Sequence, residues 1–145
     1  MKSGRRLIPI LLFGFWALAL ACGPRPLPGP DAADLRPEET ARAFAAAVLE
    51  QGRLSEAMRW ADARAALAVR SQIGFLGASP RQAVYQVGTP SRKGDQWSVL
   101  VRIEALEVVG SRYQGEMLLD LGQAGRRVHG SSLVLERSDG VRFSL

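Results

Sequence analysis

Apolar residues recur at helical spacing in the first part of the folded chain. Between residues 41 and 49 the apolar side chains fall on one face of a helix. This helix is predicted to begin at Pro37 and to stop at Gly52. A second helix is predicted from an N-cap at Ser55 to about residue 70, so the two form a hairpin. Residues 71–80 are apolar but contain glycine, which predicts a short third helix or a buried loop.

Beyond Pro80 the apolar residues alternate with polar ones, which is the period of a strand with one buried face. The predicted strands cover residues 84–87, 97–106, 113–121, 128–137 and 141–145, and Ser138-Asp139-Gly140 predicts a hairpin turn between the last two. Val128 has the opposite parity from Leu133 and Leu135, and a bulge near Gly130 would give this strand a single inward face. The order of elements predicts an α+β fold, a helical hairpin packed on a curved antiparallel sheet of four to five strands.

Three parts of this pattern together resemble a known family. They are the helical hairpin at 40–57, the turn and strand at 94–99, and the final hairpin at 133–143. This layout is similar to the nuclear-transport-factor-two-like, cystatin-like α+β cone of many small bacterial lipoproteins. The resemblance implies a helical hairpin on a curved sheet and, in the enzymes of this fold, isomerase, dehydratase or cyclase chemistry by a general base in the pocket. Phe143 stands near the place where the family often has a tryptophan.

The N-terminal segment has the layout of an export signal. A basic stretch with Lys2, Arg5 and Arg6 precedes fifteen apolar residues, 7–21, which are short for a spanning helix. The small-residue site Ala19-Leu20-Ala21 then stands directly before Cys22. Plain secretion, an uncleaved anchor and twin-arginine export through Arg5-Arg6 are the alternatives.

Leu18-Ala19-Leu20-Ala21-Cys22 resembles the lipobox of bacterial lipoproteins. That resemblance implies cleavage between Ala21 and Cys22, a diacylglyceryl group on Cys22, further acylation such as palmitate, and anchoring in the membrane. Gly23 rather than aspartate after the cysteine implies the periplasmic side of the outer membrane, if the organism has two membranes. Two or more acyl chains hold a protein stably on a bilayer. Without this anchor Cys22, the only cysteine, would be a free thiol.

The predicted domain organisation has three parts: the signal peptide 1–21, the lipidated N-terminus and proline-rich linker 22–36, and the α+β cone domain 37–145. Alternating prolines from 24 to 30 favour an extended polyproline II stalk over a helix. A docking motif for a partner is the alternative for this stretch.

Charge narrows the choice of partners. The whole chain carries 19 basic and 14 acidic residues, a net charge of +5, but three of the basic residues lie in the leader. The mature chain therefore has 16 basic and 14 acidic residues and is close to neutral. A nucleic-acid surface needs a basic stripe with interleaved aromatic residues, and this sequence does not predict one. We expect no cofactor and no metal site, because a lone histidine and a lipidated cysteine cannot supply a ligand set.

His129 is the only histidine in the sequence and therefore the only imidazole that could act as a general base. It points inward with Ser131 if the strand keeps the parity of Leu133, and outward if the bulge is present. Asp62 lies among apolar helix positions and is the best buried carboxylate, although Arg59 and Arg64 flank it and favour a surface ion pair. An ordinary strand histidine is the simpler interpretation of His129.

Five aromatic residues and the histidine could line a ligand pocket at the mouth of the cone, although such residues more often fill a core. They are Phe44, Trp60, Phe75, Trp97, Tyr113 and His129.

The sequence favours a non-enzymatic, lipid-anchored protein of the cell envelope that binds a protein partner or a small apolar ligand. The alternatives are a small isomerase- or dehydratase-like enzyme that uses His129 with Asp62, and a structural subunit of an envelope complex.

Overall fold

The first helix follows the apolar pattern. The computed structural model describes residues 36–122 and 124–145. Helix α1 spans Pro37–Ala45 and continues as a π-helical turn, Ala46–Gln51. Gly52 ends it with a φ of 61°, a left-handed conformation that glycine adopts without steric cost. The predicted start and stop of this helix are confirmed.

The predicted single second helix is wrong. Helix α2, Leu54–Trp60, ends at Ala61, and α3, Ala66–Leu76, begins after a turn. Ala61 forms a parallel bridge with Val128, and the Asp62 N–H donates to the Val128 carbonyl at 2.9 Å. These backbone groups therefore pair with a strand instead of the preceding helical turn. Helix α3 extends through most of the predicted third segment and stops before Gly77.

Six antiparallel strands form one sheet that does not close. They are β1 Ala83–Val87, β2 Ser91–Lys93, β3 Gln96–Val108, β4 Ser111–Leu121, β5 Val128–Arg137 and β6 Arg142–Ser144. Their order is β1-β3-β4-β5-β6, and β2 pairs with the first residues of β3. The α+β class is confirmed, with six strands where four to five were predicted, because the three-residue β2 is too short to show a period.

Of the two alternatives for β5, the structure has the bulge. Asp120 pairs with Gly130 and Leu121 pairs with Val128, so His129 is the extra residue on β5. Val128, Leu133 and Leu135 are consequently all fully buried. A bulge of this kind re-aims the side chain of the inserted residue.

The core lies between the helices and one face of the sheet. Phe44 and Leu49 from the first helix pack with strand residues such as Met117, Leu119 and Leu133, and all five are 0% exposed. Filling this space with side chains removes apolar surface from water, which stabilises the domain.

Within residues 36–122 and 124–145, no helix is both long and apolar enough to cross a bilayer. The predicted leader, the cleavage site at Ala21 and the lipid attachment at Cys22 lie outside the described residues.

Candidate functional site

Asp62 and His129 meet where the turn between α2 and α3 lies against the bulge of β5. Asp62 Oδ2 contacts the imidazole Nδ1, although the ring N–H is not aligned with the carboxylate as a hydrogen bond. The side chains are 23% and 29% exposed, so the pair lies at the surface rather than inside the core. Both residues are candidates from the sequence, and the structure places them in contact.

Backbone hydrogen bonds position the Asp62 side chain. Its Oδ1 accepts from the N–H of Arg64 at 2.9 Å and from the N–H of Ala65 at 3.4 Å. Aspartate commonly closes a turn in this way before a helix begins. One carboxylate thus satisfies the start of α3 with one oxygen and faces His129 with the other.

The pKa of Asp62 reflects opposing effects. Partial burial raises it, whereas the N–H of Arg64, the charge of His129 and the N–H of Ala65 lower it. The lowering effects prevail, so the pKa of Asp62 lies below its usual value and the ionised form is favoured.

Gly122 lies close to the other nitrogen of the imidazole. A side chain at Gly122 would collide with Nε2 of His129, so only glycine allows the ring to lie this close to the backbone. Two nearby strand hydroxyls have other partners: Ser98 Oγ donates to Asp120 at 2.8 Å and Ser131 Oγ donates to Gln72 at 3.0 Å. The contacts of Asp62 and His129 therefore tie a turn to a strand.

The other candidate pocket residues are spread over the molecule. Phe44 is fully buried in the core, and Trp60 packs against that core while remaining partly exposed. Trp97 lies at the start of β3, where its ring is 5.7 Å from the guanidinium of Arg92. Tyr113 pairs with the far end of that strand. These residues do not surround one common space.

Phe75 and Tyr113 form an aromatic cluster with Phe143. The ring centroids are separated by 6.1 Å for Phe75 and Tyr113, 5.0 Å for Phe75 and Phe143, and 5.9 Å for Tyr113 and Phe143. Tilted and edge-to-face pairs at these separations are favourable. The cluster packs the last strand, β6, against α3.

The sequence pattern did not predict the hydrogen bonds made by two polar side chains, Gln72 and Arg81. Fully buried Gln72 donates to the Ser131 carbonyl at 3.2 Å and accepts the Ser131 hydroxyl, which joins α3 to β5. Arg81 donates through Nη1 to the carbonyls of Val48 and Leu49, at 2.9 and 3.2 Å, and through Nη2 to that of Gly77. Burial lowers the pKa of Arg81.

Tyr85 of β1 is held at the same end of the first helix. Its hydroxyl donates to Glu50 Oε1 at 2.7 Å. Burial of the phenol, and then its hydrogen bond and proximity to Glu50, raise the pKa of Tyr85. The sequence signal for these contacts is weak, because the partners are distant along the chain.

A polar groove of about 550 Å³ crosses the sheet on the face opposite the helices. Six exposed side chains on β3 to β6 line it: Arg102, Glu104, Gln114, Glu116, Glu136 and Arg142. Arg102 stands opposite Glu116, and Glu136 opposite Arg142. Within the described ranges no ion pair joins either couple, so both charge signs are available to a ligand.

Comparisons of this chain with protein-family models, with curated proteins and with solved structures found no match. In the part of the chain that the structure describes, no group of three or more histidine, cysteine, aspartate or glutamate residues is placed to hold a metal ion.

Proposed function

We propose that the protein is a non-enzymatic, lipid-anchored domain of the cell envelope that binds a protein partner through the groove of β3 to β6. The observation that carries the proposal is the sequence Ala19-Leu20-Ala21 directly before Cys22 at the end of an apolar leader. Acylation of Cys22 would hold the mature chain on the membrane, on the periplasmic side of the outer membrane where two membranes exist.

The distribution of polarity supports a protein partner over a small apolar ligand. Small-molecule sites are mostly apolar and concave, with a few placed polar groups. The groove has charged residues of both signs, whereas the space between helices and sheet holds fully buried side chains such as Phe44 and Met117. Alternating charges on a sheet face suit recognition of a complementary polar surface.

The proposal also includes the family of the α+β fold. The order of a helical layer followed by an antiparallel sheet supports a nuclear-transport-factor-two-like, cystatin-like cone. A role as a structural subunit of an envelope complex is compatible with the groove as well, and a partner recovered in a constant ratio would favour it.

The second candidate function is a small isomerase- or dehydratase-like enzyme. The contact of Asp62 with His129 favours it, because a carboxylate can orient an imidazole for proton transfer. The hydrogen bonds of Asp62 to the start of α3 favour a structural role instead, because they give the carboxylate a function without a substrate.

The anchor is tested by Cys22→Ser. We expect the wild type in the membrane fraction and the variant in the soluble fraction, because the serine cannot receive the diacylglyceryl group. Fractionation followed by mass spectrometry of the mature N-terminus measures both location and acylation. Retention of the variant in the membrane would contradict the anchor.

The groove is tested by the charge reversal Glu116→Lys, with Asp95→Lys as the matched control in the exposed turn after β2. After cross-linking on intact membranes, we expect the same partner with the wild type and the control. Glu116→Lys should lose it, because the introduced charge stands opposite Arg102. Recovery of the same partner with Glu116→Lys would contradict the proposal that the partner binds in the groove.

A further inference from the structure

Positive charge is concentrated around α2, α3 and the loop between β4 and β5. Residues 53–81 and 124–127 contain seven arginines against two carboxylates, Glu56 and Asp62, whereas the remaining described residues have eight basic and ten acidic side chains. Both carboxylates already face a partner, Arg59 in one case and His129 in the other. Arg59 pairs with Glu56 and Arg81 donates to backbone carbonyls, so the other five arginines, which are exposed, are available to an external anion.

The solvent-facing stripe of α3 combines this charge with an apolar residue. Arg64 in the turn before α3, then Leu67 and Arg70 on α3, follow one another at intervals of three and are exposed, and Ser71 and Gly74 continue the stripe. Leu67 is 80% exposed and lies between the two cations. Arginines attract anionic headgroups, and a leucine that projects between them can enter the interface of a bilayer.

The loop before β5 adds two more cations beside this stripe. Arg126 and Arg127 are exposed, and Arg127 Nη1 donates to the Ala61 carbonyl at 3.4 Å. That bond places the loop against the turn that leads to Arg64. We define Arg64, Leu67, Arg70, Arg126 and Arg127 as the basic corner.

We propose that the basic corner docks the domain on anionic phospholipid headgroups. This inference rests on the proposed lipid anchor, which would hold the domain beside such a surface. Guanidinium groups form bidentate hydrogen bonds with phosphate oxygens. Leu67 would enter the boundary between headgroups and acyl chains. The docked domain would turn α3 toward the bilayer and leave the groove of β3 to β6, on the opposite face of the sheet, open to the partner.

The test uses an environment-sensitive fluorophore on the acylated protein. Ser71→Cys places the label on the stripe of α3, and Ser138→Cys places it in the turn between β5 and β6 as a control. The protein is reconstituted in vesicles of phosphatidylcholine alone or mixed with phosphatidylglycerol. We expect a blue shift of the Ser71→Cys label only on the mixed vesicles, and no shift of the Ser138→Cys label.

Charge variants make the test specific. Arg64→Gln with Arg70→Gln should weaken docking roughly 30-fold, since each basic residue near an anionic surface contributes about fivefold. Arg92→Gln with Lys93→Gln removes the same charge from β2 and should leave the shift unchanged. High salt should weaken docking because it screens exposed charges.

Three outcomes would overturn the inference: equal emission on both vesicle types, equal loss in both double variants, or a shift that persists at high salt. Failure of the anchor looks different. In that case the protein without an added cysteine would take up the label at Cys22 and would not float with phosphatidylcholine vesicles.

Discussion

At the scale of single residues, Asp62 and His129 show how one inserted residue decides a side chain's role. The parity of Leu133 and Leu135 alone would turn His129 into the core, but the bulge between Val128 and Gly130 turns it to Asp62 instead. The sequence nominated both side chains and suggested the bulge. It could not join them, because their contact depends on where the turn after α2 meets β5.

Replacing Asp62 by asparagine should lower the free energy of unfolding by about 1 kcal/mol at neutral pH, because Oδ1 can still accept from the turn while the charge facing His129 is lost. The pKa of Asp62 is lower in the folded state, so its contribution is present above the unfolded value of about 4 and is lost as the pH falls through the folded value. Denaturant unfolding across this range measures the difference.

The exposed turn variant Asp95→Asn serves as the control for that measurement. Its stability should follow the wild type in the acidic range, whereas the gap between wild type and Asp62→Asn should close there. A gap that stays constant down to the lowest pH would show that the charge of Asp62 does not contribute.

At the scale of elements, residue types correctly predicted where turns lie, but apolar spacing did not predict where the second helix breaks. Gly52 ends the first helix and Gly140 lies in the turn before β6, as their residue types indicate. The second helix divides at Ala61, although the apolar spacing runs on without interruption. A bridge to β5 and a hydrogen bond from Asp62 replace the helical bonds, and no local signal announces such a partner.

The end of the π-helical turn depends on Arg81, which supplies donors for the carbonyls of Val48, Leu49 and Gly77. We expect Arg81→Met to lower the free energy of unfolding by about 1 to 3 kcal/mol, because partly buried acceptors lose their donors. Thermal and chemical unfolding measure the effect.

Arg70→Met removes an exposed arginine from α3 and provides the comparison, with an expected change within about 0.5 kcal/mol. If the two variants unfolded alike, the hydrogen bonds of Arg81 would contribute no more than an ordinary surface side chain.

At the scale of the whole molecule, the domain predicted from residue 37 onward should fold without the preceding segment. A chain that begins at Arg36 keeps the bond from the Arg36 nitrogen to Glu39 and the packing of Pro37 near Gly125. We expect one cooperative transition at a midpoint within a few degrees of the mature protein, measured by circular dichroism.

A chain that begins at Thr40 is the matched comparison, since it lacks both contacts and the first turn of α1. It should melt at a clearly lower temperature. A loss of cooperative unfolding already in the chain from Arg36 would place the domain boundary earlier than predicted.

By itself the sequence determined the helical and strand periods, the turns at Gly52 and Gly140 and the α+β class, and it suggested the bulge near Gly130. These features depend on side chains near one another along the chain, where conformational preference and burial pattern act together. Only the tertiary structure decided the break at Ala61, the contact of Asp62 with His129, and the dispersal of the predicted pocket residues. Each of these depends on which distant backbone or side-chain group satisfies a polar atom or fills a space, and that choice is made when the helices pack on the sheet.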